Sequence, residues 1–139
     1  MINGISDELI LAARLLFATL FIIFGLRKLR DYSGTADQMV QLGVPTPVLA
    51  ALVSMFMEVP VAFAVAIGAF TRPLAALMAL YSLGTALIGH RYWTVKGPDY
   101  VDSLDGFYKD LSIMGGFLLL FVTGAGKYSI DALLGIAAP

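Results

Sequence analysis

Glu58 stands near the middle of an otherwise apolar stretch, Val48 to Phe70. A carboxylate at the centre of a hydrocarbon core costs about 2.5 kcal/mol or more unless it is protonated, paired or facing water. The chemistry open to such a group is proton transfer, because burial and neighbouring charges set when an acid gives up its proton. Several side chains elsewhere could answer it. Arg14 and Lys28 precede it, Tyr81, Thr85 and His90 follow, and Lys109 and Asp110 come later still. His90 is the chain's one histidine. A histidine changes charge near physiological pH, which suits a proton donor, or a hydrogen-bond donor to a quinone carbonyl. Beside Arg91 and Trp93 it equally suits a helix anchor at a membrane surface. Glu58 and His90 are therefore the candidate proton-handling residues, with Arg14, Lys28, Tyr81, Thr85 and Lys109 as candidate ligand contacts.

The elements that must position these groups follow from composition. The chain has 139 residues, 59% of them hydrophobic and 14% charged, with a mean hydropathy of +0.85. Soluble domains carry about 25% charged residues, so this is an integral membrane protein, and residues 1–139 fit one domain. About 20 apolar residues cross a 30 Å core as a helix. The pattern predicts helices over about residues 6–26, 48–70, 74–92 and 106–123, with a short interfacial helix from Ile130 to Gly135. The fold class is all-α: a polytopic bundle of four transmembrane helices. Ser6, Asp7 and Glu8 suit the start of the first helix, and Thr46-Pro47 suits the start of the second. Asp105 suits a cap for the fourth. Pro60 frees the Phe56 carbonyl and bends the second helix beside the acid. Met1 to Glu8 carries no Lys or Arg, unlike a secretory leader, so the first apolar segment is expected to stay as a helix.

Composition also excludes chemistry. With no cysteine, disulfides, thiolate metal sites and iron–sulfur clusters cannot form within the chain. One histidine cannot make a bis-histidine haem, and the six methionines read as packing, so no metal is expected. A net charge of −1 gives no case for nucleic acid. Any redox group would be organic or held by a partner.

Four spans place the connections after the first and third helices on one side, with Arg27, Lys28, Arg30, Arg91, Lys96 and Lys109. The other side has Arg72 and Lys127, with Arg14 as a possible third. The positive-inside rule then predicts both long connections in the cytoplasm and both termini outside. Within the first connection, Asp37 to Leu42 suits a short amphipathic helix that Gly43 ends. The second, Thr94 to Gly106, reads as a loop. At 1.5 Å per residue, Lys28, His90, Lys109 and Asp110 lie nearer that face than Glu58, as a funnel toward the acid would require. Arg14 approaches from the opposite side. It either snorkels to the interface or reaches in toward Glu58.

The order and spacing of these residues resemble the DoxX family of small bacterial membrane proteins. The resemblance rests on Arg14, Gly25-x-x-Lys28, Glu58, Gly68-x-x-Thr71-Arg72-Pro73-x-Ala75, His90, Gly115-Gly116 and Gly124-x-Gly126-x-x-Ser129-x-Asp131. It runs from about Leu9 to Leu134. Family members usually carry an asparagine where this chain has Lys109-Asp110. The resemblance implies a four-helix bundle in a prokaryotic inner membrane. The family takes its name from a subunit of a thiosulfate:quinone oxidoreductase, and relatives are linked to oxidative-stress responses. A quinone-linked redox component is therefore one expectation, with quinone as ligand and a redox enzyme as partner. A non-catalytic scaffold acting through the two long loops is a second. A small proton-coupled carrier is a third, which at this size would need a homo-oligomer.

Overall fold

The computed structural model describes residues 2–136. Met1 and residues 137–139, whose side of the membrane was a sequence expectation, lie outside the described residues. Every regular element among the described residues is helical. Helix α1 runs Ser6–Arg30 and α2 runs Tyr32–Gln41. Helix α3 spans Pro47–Ile67, α4 covers Thr71–Gly89, α5 covers Pro98–Thr123 and α6 is the short Ile130–Leu133. Helices α1, α3, α4 and α5 are each long and apolar enough to cross a membrane. The expected bundle of four spans with a short C-terminal helix is the fold observed.

The boundaries differ from the sequence reading in ways that matter for the site. The fourth span begins at Pro98 and not at 106. Its first two turns are polar, but helix formation needs no apolar residues, and Pro98 is preorganised for a first position. Asp105, expected as a cap, lies inside this helix. The connection after α1 is also mostly helix, because Asp31 accepts a hydrogen bond from the Gly34 amide at 3.1 Å and starts α2 five residues earlier than expected. At the start of α1, Ser6 is the first helical residue and Ile5 takes the cap position.

Helix α3 is not a uniform α-helix. Its middle, Met57–Val61, forms a π turn that contains both Glu58 and Pro60. Proline cannot donate to the carbonyl one turn back, and the wider turn absorbs that missing bond. The segment on either side, Pro47–Phe56 and Ala62–Ile67, stays α-helical.

The core lies between the four spans. Phe21, Met57, Val61, Val65, Met78 and Phe117 are buried against one another. Phe17 stacks on Phe117 with ring centres 4.3 Å apart. Gly116 makes this possible, since a Cβ there would run into the Phe17 ring. By contrast Phe56, Phe63, Phe70 and Phe121 are exposed on the outside of the bundle. That is the expected place for apolar side chains in contact with lipid. Tyr92, Trp93, Tyr100, Phe107 and Tyr108 cluster where α4 gives way to α5, mostly edge-to-face with Tyr92 and Tyr108 stacked, the composition of an interfacial belt.

Candidate functional site

Glu58 is 2% exposed and about 16 Å into α3 from Pro47. Its Oε2 accepts hydrogen bonds from the Lys28 ammonium, at 2.5 Å, and from the Tyr81 hydroxyl. Both donors are among the candidate ligand contacts named from the sequence. The spacing Gly25-x-x-Lys28 explains how α1 delivers the lysine. A Cβ at Gly25 would lie 2.9 Å from Glu58 Cβ and clash with Val59, so glycine allows α1 to touch the π turn. Lys28, three residues on, shares that face of the helix and reaches the carboxylate. The other carboxylate oxygen, Oε1, is buried with no hydrogen-bond partner among the described residues.

A second carboxylate sits beside the first. Asp110, on α5, is 7% exposed. Its Oδ2 accepts from Thr85 Oγ1 at 3.1 Å and lies 3.5 Å from His90 Nε2. Tyr81 and Thr85 are one helical turn apart on α4, so one face of this helix serves both acids. Gly106 lets α5 pass His90 closely, because a Cβ there would press on the imidazole. The sequence places Asp110 near the loop-rich face, among the titratable groups of a funnel toward Glu58, but does not single it out as a site residue or pair it with His90. The available signal was its position in the early turns of the fourth span, facing the end of the third.

The donors to these two acids line one cavity of about 320 Å³ under α2. Lys28, Tyr81, Thr85 and His90 supply its polar surface, and Val44, Val53 and Ile88 are among its apolar walls. Glu58 and Asp110 stand behind these side chains and not in the wall itself. Gln38 of α2 closes the cavity from above. The far end of α2 is held down by Arg91, whose guanidinium donates to the Leu42 carbonyl. Val53 and Ile88 are about half exposed, at 46% and 49%, so the apolar wall between α3 and α4 faces the bilayer. Lys109 lies outside this cavity, its ammonium over the Phe24 ring at 5.2 Å.

Arg14 belongs to a different cluster. It is fully buried and donates to the Ala66 carbonyl at 3.0 Å and to the Tyr128 carbonyl. Ala66 is in the last turn of α3, where carbonyls lack helical partners, and here the arginine supplies one. Asp131, which interacts electrostatically with Arg14, accepts from the amides of Phe70 at 2.7 Å and Thr71 at 2.8 Å. Its own amide donates to the Gly68 carbonyl. This clamp holds Phe70 at φ 51°, a backbone region costly for an aromatic residue. Of the two expectations for Arg14, snorkelling to the interface or reaching Glu58, the structure shows neither: Arg14 is buried on backbone carbonyls, in a cluster separate from that of Glu58. Lys28, one turn from Gly25, fills the role that Arg14 was offered.

Comparison with known proteins places this architecture. The DoxX family model matches residues 9–91, from the first span to the residue after His90. The chain belongs to the DoxX family. Inner membrane protein YphA of Escherichia coli is 47% identical over 123 residues, covering 88% of this chain and 88% of the relative. Inner membrane protein YqjF of the same organism is 39% identical over 130 residues, covering 94% of this chain and 95% of the relative. Both alignments extend well past the family match. No solved structure matches the chain. With four spans and relatives of the inner membrane, this DoxX protein is a multi-pass protein of the cytoplasmic membrane.

Proposed function

We propose that this DoxX protein binds the ring of a quinone-class molecule in the cavity beneath α2, as a component of a membrane redox assembly. The observation that carries the reading is the convergence of four donors on one cavity, each backed by a buried carboxylate. Lys28 and Tyr81 bond Glu58; Thr85 and His90 face Asp110. The donor set fits a flat ring with carbonyl acceptors, since the remaining walls include Val44, Val53 and Ile88. A volume of about 320 Å³ is at the small end for ligand sites, which run about 300–1,000 Å³. It would house a head group and leave a hydrocarbon tail in the bilayer beside Val53 and Ile88.

A quinone supplies two-electron, two-proton chemistry; the electrons would come from a partner subunit. The protein's part is proton handling. Tyr81 can pass its proton toward the cavity and recover one from Glu58, while Lys28 compensates the carboxylate when its proton is away. Thr85 and His90 offer the same service from Asp110 on the other wall. On the positive-inside reading, protons would enter from the cytoplasmic face, because Phe21, Val61, Val65 and Met78 pack between Glu58 and the Arg14 clamp. That packing also speaks against a carrier, which needs polar access from both sides. The scaffold reading drew on two long loops; α2 and the early turns of α5 occupy most of both.

Titration of the purified protein with a short-chain quinone, followed by tryptophan and tyrosine fluorescence, tests the proposal. Tyr81→Phe should weaken binding roughly tenfold, the scale for losing a buried hydrogen bond to a polar ligand, and Glu58→Gln, which removes the carboxylate that holds Lys28 and Tyr81 in place, should weaken it too. Lys96→Gln, outside the cavity, should bind like the parent. Equal affinity in all four proteins would rule the site out.

A further inference from the structure

Adjoining the cavity, and sharing Lys28, Gln38 and His90 with it, is a wide groove of about 670 Å³ between the end of α1, α2 and the early turns of α5. Its cations are Arg27, Lys28 and Lys109, and Asp31 is the one acid in its lining. Two of these cations share a single aromatic ring: the Arg27 guanidinium is 5.8 Å and the Lys109 ammonium 5.2 Å from the Phe24 centroid. Neither has a carboxylate within ion-pair distance among the described residues. Lys28 is already taken by Glu58. Asp31 caps α2, its Oδ1 accepting from the Gly34 amide at 3.1 Å. The fold therefore gathers positive charge at one rim, while the one carboxylate in the lining, Asp31, also serves as the cap of α2. Cations gathered at one rim raise its positive potential, and a bound anion would lower it.

The groove's depth suggests which anion. It lies at the last turn of α1, where the apolar span gives way to Arg27, Lys28 and Arg30, the level at which lipid phosphates sit. Arginine and lysine set over an aromatic ring match a compact, multiply hydrogen-bonding anion. We propose that this groove is a phosphate-binding site centred on Arg27 and Lys109, two cations that do not line the cavity. A phospholipid head group and a soluble phosphate both present that chemistry.

The test uses the full-length protein in detergent and a double variant, Arg27→Gln with Lys109→Gln. A charge-matched control carries Arg30→Gln and Lys96→Gln, both outside the groove. Native mass spectrometry is run with phosphatidylglycerol against phosphatidylcholine, and thermal unfolding is run with inorganic phosphate against chloride. At about 1 kcal/mol per cation near the surface, the groove variant should bind phosphatidylglycerol roughly thirtyfold less tightly than the parent, and the control should match the parent. A loss confined to the phosphatidylglycerol arm identifies a lipid site, and one confined to the inorganic phosphate arm identifies a soluble ligand. Equal losses in groove and control variants, or no preference for either phosphate probe in the parent, would overturn the proposal.

Discussion

The pair of Lys28 and Glu58 makes an asymmetric prediction. The glutamate is almost wholly buried, its side chain 3% exposed, whereas the lysine side chain is 27% exposed. Replacing Lys28 with Met removes the counter-charge from a carboxylate that cannot reach water, and leaves it with Tyr81 alone. Breaking a buried pair from this side costs about 3–5 kcal/mol. Replacing Glu58 with Gln has a milder result. The amide oxygen can still accept from Tyr81, and the freed ammonium can extend through the groove toward solvent, so about 1 kcal/mol or less is expected for the partly exposed partner. The double variant, Lys28→Met with Glu58→Gln, contains no uncompensated charge and should recover most of the loss. Reversible unfolding in mixed micelles, read by circular dichroism for the parent and the three variants, gives the full cycle. The coupling energy should be several kcal/mol and favourable. If Glu58→Gln costs as much as Lys28→Met, or if the two losses simply add, the buried pair is not what holds these helices together.

Two further outcomes follow from the packing. Gly25→Val should destabilise the protein by about 1–3 kcal/mol, the cost of overpacking, because its Cβ has no room against Glu58 and Val59; an unchanged melting temperature would refute the close approach of α1 to the π turn. Arg14→Met should cost about 2 kcal/mol or more, since it leaves two buried carbonyls unpaired, and should speed proteolysis near Tyr128. The same variant should titrate with quinone like the parent while folded, and a lost affinity would contradict the separation of the two clusters.

The positions of the spans were legible because the bilayer imposes a length and a composition that Val48 to Phe70 announces directly. Glu58 stood out for the same reason, as the lone acid in that stretch. The partner was harder to read. Arg14 and Lys28 both lie on α1, and depth alone cannot say which of two long cations meets an acid on another helix. What decides it is the glycine: at Gly25 α1 lies against Glu58 and Val59, and Lys28 is the cation one turn away. Arg14's true partners are backbone carbonyls, which carry no side-chain signature in the sequence. The early start of α5 was hidden because polar turns outside the bilayer look like loop when apolarity is the criterion. Helix α2 had a readable cue in Asp31, whose carboxylate caps it. The role of Asp110 depends on α4 and α5 packing side by side, which no local pattern encodes.

Mass spectrometry of organic extracts from the purified parent protein, Glu58→Gln and Gly84→Leu tests the cavity most directly. Gly84 lines the cavity and nothing lies within 4 Å of where its Cβ would be, so leucine there fills the space without touching either carboxylate. A quinone-class molecule near one per protein in the parent, depleted in Glu58→Gln and absent from Gly84→Leu, is the predicted result. The same molecule at the same level in all three proteins, or none in the parent, would contradict a ligand site under α2.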